Sequence, residues 1–392
     1  AHVHAPTSGH IIAIDPRPIG HPSGRDVPCV EIEPDGTETW LRLEPWPNWR
    51  HRDAAELIGR LRDAGIVGLG GGTFPTDVKL ASETPIRTLI INGAECEPYI
   101  ACDDALLRSR ADTVLCGAAL LAHTLGAQRT LLAVEDSMRH ALAALAHARS
   151  RTLDAEAIEV IAVPTRYPQG GERQLIRTLT GIEIGAGTVP RQRGVACVNV
   201  GTAAAAWTAV VHGEPLISRI ISVTGSGIRT PANFDAPLGT PVAALIEAAG
   251  GYSIDVERLV LGGPMMGVAG PQDDVPVSKA SNCVLALAAT ELRAHGQELP
   301  CIRCGECVRV CPAQLLPQQL HFHIAAGEWT KVRQLGLMDC IECGLCAYVC
   351  PSRIPLVESF RYGKGEIAWQ DSERQRAEAS KARHEARQAR LA

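Results

Sequence analysis

The chain has 392 residues, 21% of them charged, with a formal net charge of −5 and a pI near 6.2. That balance argues against a nucleic-acid binder, whose domain is expected to be basic. No run of about 18 uninterrupted apolar residues is present to span a membrane. Length allows two to four domains. The first methionine is Met138, so the native start, with any targeting segment, is expected to lie outside this sequence.

The first ~45 residues alternate apolar and polar positions between Gly- and Pro-rich turns. Short strands are predicted at Gly9–Ile14, Val27–Ile32 and Trp40–Leu43, with turns at Pro16, Pro18 and Asp35-Gly36, giving a small β module. From Asp53 the pattern changes to helices alternating with apolar strands. Helices are predicted over 53–64, 104–125 and 138–149, and strands over Thr88–Asn92, Thr130–Val134 and Ile158–Val163. Such alternation marks an α/β domain with a largely parallel sheet. From 216 to 287 a strand at Leu216–Val223, a turn at Thr224–Gly227, a helix over 241–249 and a strand at Leu259–Leu261 suggest a small β-grasp unit. The tail from Glu366 is rich in charge and alanine, with a thin apolar face. It reads as a solvated helix or a partly disordered segment unless a partner lies along it.

Four segments of the α/β region carry Gly and polar residues where parallel sheets bind ligands, outside the carboxyl ends of strands. In Gly68-Leu69-Gly70-Gly71-Gly72-Thr73-Phe74-Pro75, the adjacent glycines clear the way for main-chain N–H groups to approach a phosphate, with Lys79 as a nearby cation. The loop is neither a Walker loop nor a G-x-G-x-x-G turn. Asn92-Gly93-Ala94-Glu95-Cys96-Glu97 follows a strand directly. Tyr167-Pro168-Gln169-Gly170-Gly171-Glu172-Arg173 opens a helix, and Val198-Asn199-Val200-Gly201-Thr202 joins a strand to a helix over 203–211. Each alone reads as an ordinary loop; four together point to a ligand crevice.

Two cysteine runs of identical spacing follow: Cys301-x2-Cys304-x2-Cys307-x3-Cys311-Pro312 and Cys340-x2-Cys343-x2-Cys346-x3-Cys350-Pro351. In this pattern three thiolates wrap one [4Fe–4S] cluster and the fourth reaches across to the other. Cys301, Cys304, Cys307 and Cys350 are therefore assigned to one cluster, and Cys340, Cys343, Cys346 and Cys311 to the second. Zinc ribbons pair their cysteines and need neither the third residue nor the Cys-Pro. The remaining Cys29, Cys96, Cys102, Cys116, Cys197 and Cys283 show no framework spacing and read as small hydrophobes, mostly buried. Clusters with free thiols point to a reducing compartment. His321 and His323 are expected on a helix between the two cysteine runs, without ligand spacing.

The order Gly-Gly-x-x-Phe-Pro-Thr-x-x-Lys, Asn-Gly-Ala-Glu-Cys-Glu-Pro, Tyr-Pro-x-Gly-x-Glu and Val-Asn-Val-Gly-Thr resembles the flavin-bearing subunit of respiratory complex I, which binds FMN and NADH. With Cys96–Asp104, Val189–Gly194 and two ferredoxin runs, the chain is more similar to the C subunit of the Rnf ion-translocating electron-transport complex. The resemblance covers nearly the whole chain. It implies a multidomain α/β fold: a barrel-sandwich-like β module (1–48), a Rossmann-like FMN-binding α/β domain (49–215), a β-grasp domain of the SLBB type (216–290), an α-helical two-[4Fe–4S] ferredoxin-like domain (291–362) and a charged helical tail (363–392). It further implies that Gly68, Gly70, Gly71 and Gly72 receive the flavin phosphate beside Lys79, and that Phe74 stacks on the nicotinamide-adenine cofactor. Asn92, Glu95 and Cys96 would hold FMN, Glu97 would contact the dinucleotide, and Gly171, Glu172, Asn199 and Thr202 would complete the pocket. Ala94 stands where complex I has an aspartate, and Arg173 where it has a second glutamate.

The implied activity is electron transfer between NAD(H), non-covalent FMN and two [4Fe–4S] clusters, to or from ferredoxin. The implied partners are the Rnf membrane subunits and the iron–sulfur subunit that handles ferredoxin, with the chain peripheral on the cytoplasmic face of the bacterial inner membrane. The rival expectations are a soluble flavin reductase, such as a cobalamin reductase, and a flavin-free electron carrier or assembly scaffold.

Overall fold

The computed structural model describes residues 1–21, 23–152, 155–270, 272–292 and 297–391. It divides into two compact units, Ala1–Ile184 with Thr188–Arg293, and Gly185–Gly187 with Ala294–Ala392.

The first unit opens with an antiparallel hairpin of strands β1 (Gly9–Pro18) and β2 (Asp26–Pro34), with a bulge between Ile11 and Ala13. Its apolar residues Ile11, Ile12, Ile14 and Val30 are exposed. The predicted third strand at Trp40–Leu43 does not form. The main chain there is tied elsewhere: Leu43 N–H donates to Gly213 O (2.8 Å) and Trp46 N–H to Val210 O (2.9 Å). The Arg60 guanidinium lies 3.9 Å from the Trp46 ring and donates to Glu44 O. Cation–π contact and main-chain bonds thus hold this segment against the α/β domain.

That domain is built on four parallel strands, β3 (Thr88–Gly93), β4 (Arg129–Glu135), β5 (Ile158–Val163) and β6 (Val195–Asn199), in the order β5-β4-β3-β6. Their near-continuous apolar runs are what a sheet covered on both faces needs. Helices Ala54–Asp63, Ala111–Leu125 and Val200–Trp207 pack on one face and Glu172–Thr180 on the other. Helix Ala54–Asp63 starts at a capping box between Asp53 and Glu56. The single helix predicted over 104–125 is two, Cys102–Ser109 and Ala111–Leu125, because Arg110 leaves helical geometry (φ −139°, ψ 41°) and pairs with Asp235 at 2.7 Å. Gly117 is the closest contact point between helices: an added Cβ would lie 1.9 Å from Ala203 O.

The β-grasp domain has five strands, β7 (Ser218–Thr224), β8 (Ala232–Pro237), β9 (Arg258–Leu261), β10 (Val268–Ala269) and β11 (Cys283–Leu287), ordered β10-β9-β11-β7-β8. Only β7 and β11 run parallel. Helix Val242–Ala248 covers the sheet through Val242, Leu245 and Ile246.

The second unit is helical, with Glu306–Arg309, Pro317–Ala325, Trp329–Gln334, Leu345–Tyr348 and a 36-residue helix, Leu356–Leu391. His321 and His323 lie on Pro317–Ala325 as expected. The expected boundary at 362/363 falls inside the long helix. Its first turns bury Phe360, Gly363 and Ile367, and Arg333 grips Asp371 with two 2.9 Å bonds. From Glu373 to Leu391 every residue is exposed, so the tail is helical although its far half has no apolar contact. Among the described residues no helix is long and apolar enough to cross a membrane.

Two glycines give opposite expectations. Gly117→Val should destabilise the first unit by about 1–3 kcal/mol or more, since a side chain cannot enter backbone. Gly59, in helix Ala54–Asp63 with nothing within 4 Å of an added Cβ, should tolerate alanine and gain about 0.5–1 kcal/mol. Thermal unfolding of the purified variants checks both signs.

Candidate cofactor sites

Asn92 and Asn199 end β3 and β6 and stand opposite each other in the sheet register. Asn92 Nδ2 donates to Gly170 O (2.9 Å), and its Oδ1 accepts from Ala94 N–H (3.0 Å). Asn199 caps helix Val200–Trp207 by accepting from Gly201 N–H (2.8 Å), and its Nδ2 donates to Asp103 (2.6 Å). The two amides fasten the loops after β3, the turn at Gly170 and the helix after β6 to one edge of the sheet.

The glycine loop arches over this edge. Leu69 N–H donates to Thr202 Oγ1 (2.8 Å), which donates to Val67 O (3.3 Å), while Gly68 N–H reaches Phe74 O (2.9 Å). Gly71 has φ +100°, which demands glycine, and an added Cβ at Gly71 or Gly72 meets nothing within 4 Å. The crest of the loop is therefore main chain facing open space. Phe74 beside it is 53% exposed. Lys79 Nζ pairs with Glu172 Oε1 at 2.6 Å, and Gly171 caps helix Glu172–Thr180. Bare amides at the crest, a lysine and a helix N-terminus form a donor set that suits a phosphate.

Thr202 and Glu95 lie behind the arch. Thr202 is buried and spends its hydroxyl on the loop. The Glu95 carboxylate accepts from the N–H groups of Asp103 (2.9 Å) and Asp104 (3.1 Å) and from the Cys102 thiol, and so caps helix Cys102–Ser109. Burial, then the neighbouring Asp103, hold its carboxyl above the usual range; burial does the same to Asp103. Cys96 Sγ accepts from Gly170 N–H (3.1 Å), and burial pushes its thiol up to about 11. Glu97 Oε1 accepts from Met265 N–H (2.7 Å) and Met266 N–H (3.0 Å) of the β-grasp domain. Gly263 makes that approach possible, because an added Cβ would lie 1.9 Å from Glu97 Cγ.

Arg219 on β7, which the sequence reading missed, is buried beneath the arch. Its guanidinium donates to Leu69 O (3.0 Å) and Lys279 O (2.5 Å) and faces Glu95, Cys102 and Asp103. A charge inside the apolar run Ile220-Ile221 was the available signal.

In the helical unit, Cys301, Cys304, Cys307 and Cys350 line one hollow, and Cys311, Cys340, Cys343 and Cys346 line a second. Each hollow thus gathers three cysteines of one run and the last of the other. Cys311 Sγ accepts from Leu315 N–H and Cys340 Sγ from Glu342 N–H, both at 3.4 Å. Burial pushes the Cys346 thiol up to about 12, so thiolates here need a bound cation to hold their charge. Four converging soft donors suit an iron–sulfur cluster.

Residues 61–208 match the Nuo51 FMN-binding domain, 220–269 the SLBB domain and 300–354 the 4Fe-4S dicluster domain. The C subunit of the ion-translocating oxidoreductase complex of Pseudomonas aeruginosa is 49% identical to this chain, covering 100% of it and 50% of the relative. Its counterpart in Yersinia pestis is 49% identical, covering 100% and 63%, and that of Vibrio cholerae 45%, covering 99% and 50%. The chain belongs to this C-subunit family. It spans about half to two thirds of the length of these curated relatives. An NAD+-reducing [NiFe]-hydrogenase in the H2-reduced state shares the fold, with a TM-score of 0.57 and 20% identity over 78% of this chain and 62% of that one. The domain matches give the chain its cofactors, FMN and [4Fe–4S] clusters.

Replacing Arg219 with glutamine leaves Glu95 and Asp103 without their buried cation. The change should cost about 3–5 kcal/mol and release the glycine loop, read as a lowered thermal midpoint together with weakened FMN binding. Anaerobic reconstitution should load about eight iron atoms. Cys311→Ala should first damage the cluster of Cys340, Cys343 and Cys346; selective loss at Cys301, Cys304 and Cys307 would show the crossing to be wrong.

Proposed function

We propose that this chain is the peripheral electron-input part of an Rnf-type ion-translocating oxidoreductase, carrying electrons between NAD(H), FMN and two [4Fe–4S] clusters, to or from ferredoxin through partner subunits. The observation that carries this reading is the presence in one chain of a glycine-arch crevice at parallel strand ends and two hollows of four cysteines each. FMN, when bound, supplies the exchange between two-electron and one-electron carriers that hydride donors and clusters require.

The protein's own residues bind and orient. Main-chain N–H groups at Gly70, Gly71 and Gly72 receive the phosphate, with Lys79 and helix Glu172–Thr180 adding positive potential. Asn92 and Asn199 fix the edge against which the ring lies, and Phe74 offers a face for stacking. Cys96, neutral because its thiol is raised, packs without adding charge. Eight thiolates hold the clusters, with main-chain N–H bonds to sulfur tuning them. No acid–base constellation is needed, since the chain supplies binding and electrostatics.

The names of the relatives support assembly with membrane subunits and an iron–sulfur subunit that handles ferredoxin. Attachment is then peripheral, on the cytoplasmic face of the inner membrane, where NADH is available.

Changing Cys301, Cys304, Cys340 and Cys343 to serine should leave FMN bound and NADH oxidation by ferricyanide intact, while reduction of the natural acceptor fails. Gly71→Asp combines a φ of +100° with a negative side chain in the phosphate space, and should abolish FMN binding and NADH oxidation while both cluster spectra persist. Normal acceptor reduction by the serine variant, or FMN retained by Gly71→Asp, refutes the route.

A further inference from the structure

At the carboxyl end of β4, Glu135 is 3% exposed, and its Oε1 has no hydrogen-bond donor among the described residues. Its neighbour Asp136 is by contrast fully engaged, accepting from Thr165 N–H and Oγ1. Buried carboxylate oxygens are nearly always paired, so an orphan at a strand end calls for a missing donor. Alternation along β4 places Glu135 with Leu131 and Ala133 on the face that carries Ala94 and helix Glu172–Thr180, whereas Leu132 and Val134 face the opposite core. Ala94 and Glu135 each lie one step beyond the paired residues Gly93 and Val134 of adjacent parallel strands, so they are neighbours. Glu135 also acts electrostatically on the Cys96 thiol, whose sulfur accepts from Gly170 N–H. A second buried acceptor without a donor, Gln174 Oε1, flanks the same turn at Gly171. Two orphan acceptors therefore border the Gly170–Gly171 turn that Asn92 ties to the crevice.

We infer that Glu135 is an additional contact residue of the crevice, its carboxylate accepting an N–H from the bound ligand. The inference rests on the functional reading above and adds the ligand chemistry: an amide-type N–H, which both the imide edge of a flavin ring and the carboxamide of a nicotinamide present. Ala94 offers no acceptor where complex I has an aspartate; Glu135 supplies one from the next strand.

The test compares the full chain with Glu135→Met, which keeps length and removes the acceptor. Three measurements are made: FMN affinity of flavin-stripped protein by fluorescence quenching, NADH affinity of FMN-loaded protein, and the thermal midpoint of the flavin-stripped form. A ligand-facing orphan lowers affinity when removed but leaves the empty protein as stable or more stable; a structural carboxylate does the reverse. FMN affinity falling about tenfold or more identifies the flavin as the donor. Unchanged FMN affinity with a similar fall for NADH identifies the dinucleotide. Unchanged affinity for both, or a lowered midpoint of the stripped protein, overturns the inference while leaving the functional reading intact. Wild-type protein that binds neither ligand refutes the functional reading, and this inference with it.

Discussion

A guanidinium taken out of water holds the flavin crevice together. Arg219 extends from the first strand of the β-grasp domain to the main chain of the glycine loop, and it faces the buried acids Glu95 and Asp103. Each of those acids also fixes a neighbouring element, since Glu95 caps helix Cys102–Ser109 and Asp103 orients Asn199. Remove the cation and two carboxylates stand in low dielectric without compensation, a penalty that no surface pair in the molecule approaches. The β-grasp domain is thus a structural part of the flavin site, a point reinforced by the Met265 and Met266 amides that hold Glu97.

Charge is handled differently at the rim of the crevice. Lys79 and Glu172 form a half-exposed pair that little energy is needed to separate, so the lysine is available to an incoming phosphate. The arch itself stays empty of side chains at Gly71 and Gly72, and its shape is kept by bonds beneath it through Thr202. Rigid support below and bare amides above make a binding surface that needs no rearrangement to accept an anion.

In the helical unit the hydrophobic core is organised around the two hollows. Cys346 belongs to the same buried cluster as Leu320, Ile324 and Phe360, and the other cysteines except Cys304 and Cys343 pack at its margin. A unit with so few long elements derives much of its stability from what it binds. The long helix contributes Phe360 and Ile367 to that core and Lys364 to the Cys340 carbonyl, then continues into solvent.

The sequence by itself determined the cluster ligands and the glycine arch, because both depend on local spacing: three cysteines within one turn-rich segment, or adjacent glycines before Phe74-Pro75. Apolar alternation also located β3, β4 and β5, whose burial on both faces leaves continuous hydrophobic runs. It failed at Trp40–Leu43, where main-chain bonds to residues near 210 replaced a third strand, and at β8 and β11, whose partners lie in other parts of the chain. Tertiary structure alone decided the roles behind the arch. Leu69 meets Thr202 and Arg219 across 133 and 150 residues, and Ala94 becomes a neighbour of Glu135 only when β3 and β4 pair. A carboxylate becomes an orphan, a cap or an ion-pair partner according to what surrounds it, and those surroundings exist only after distant segments have folded together.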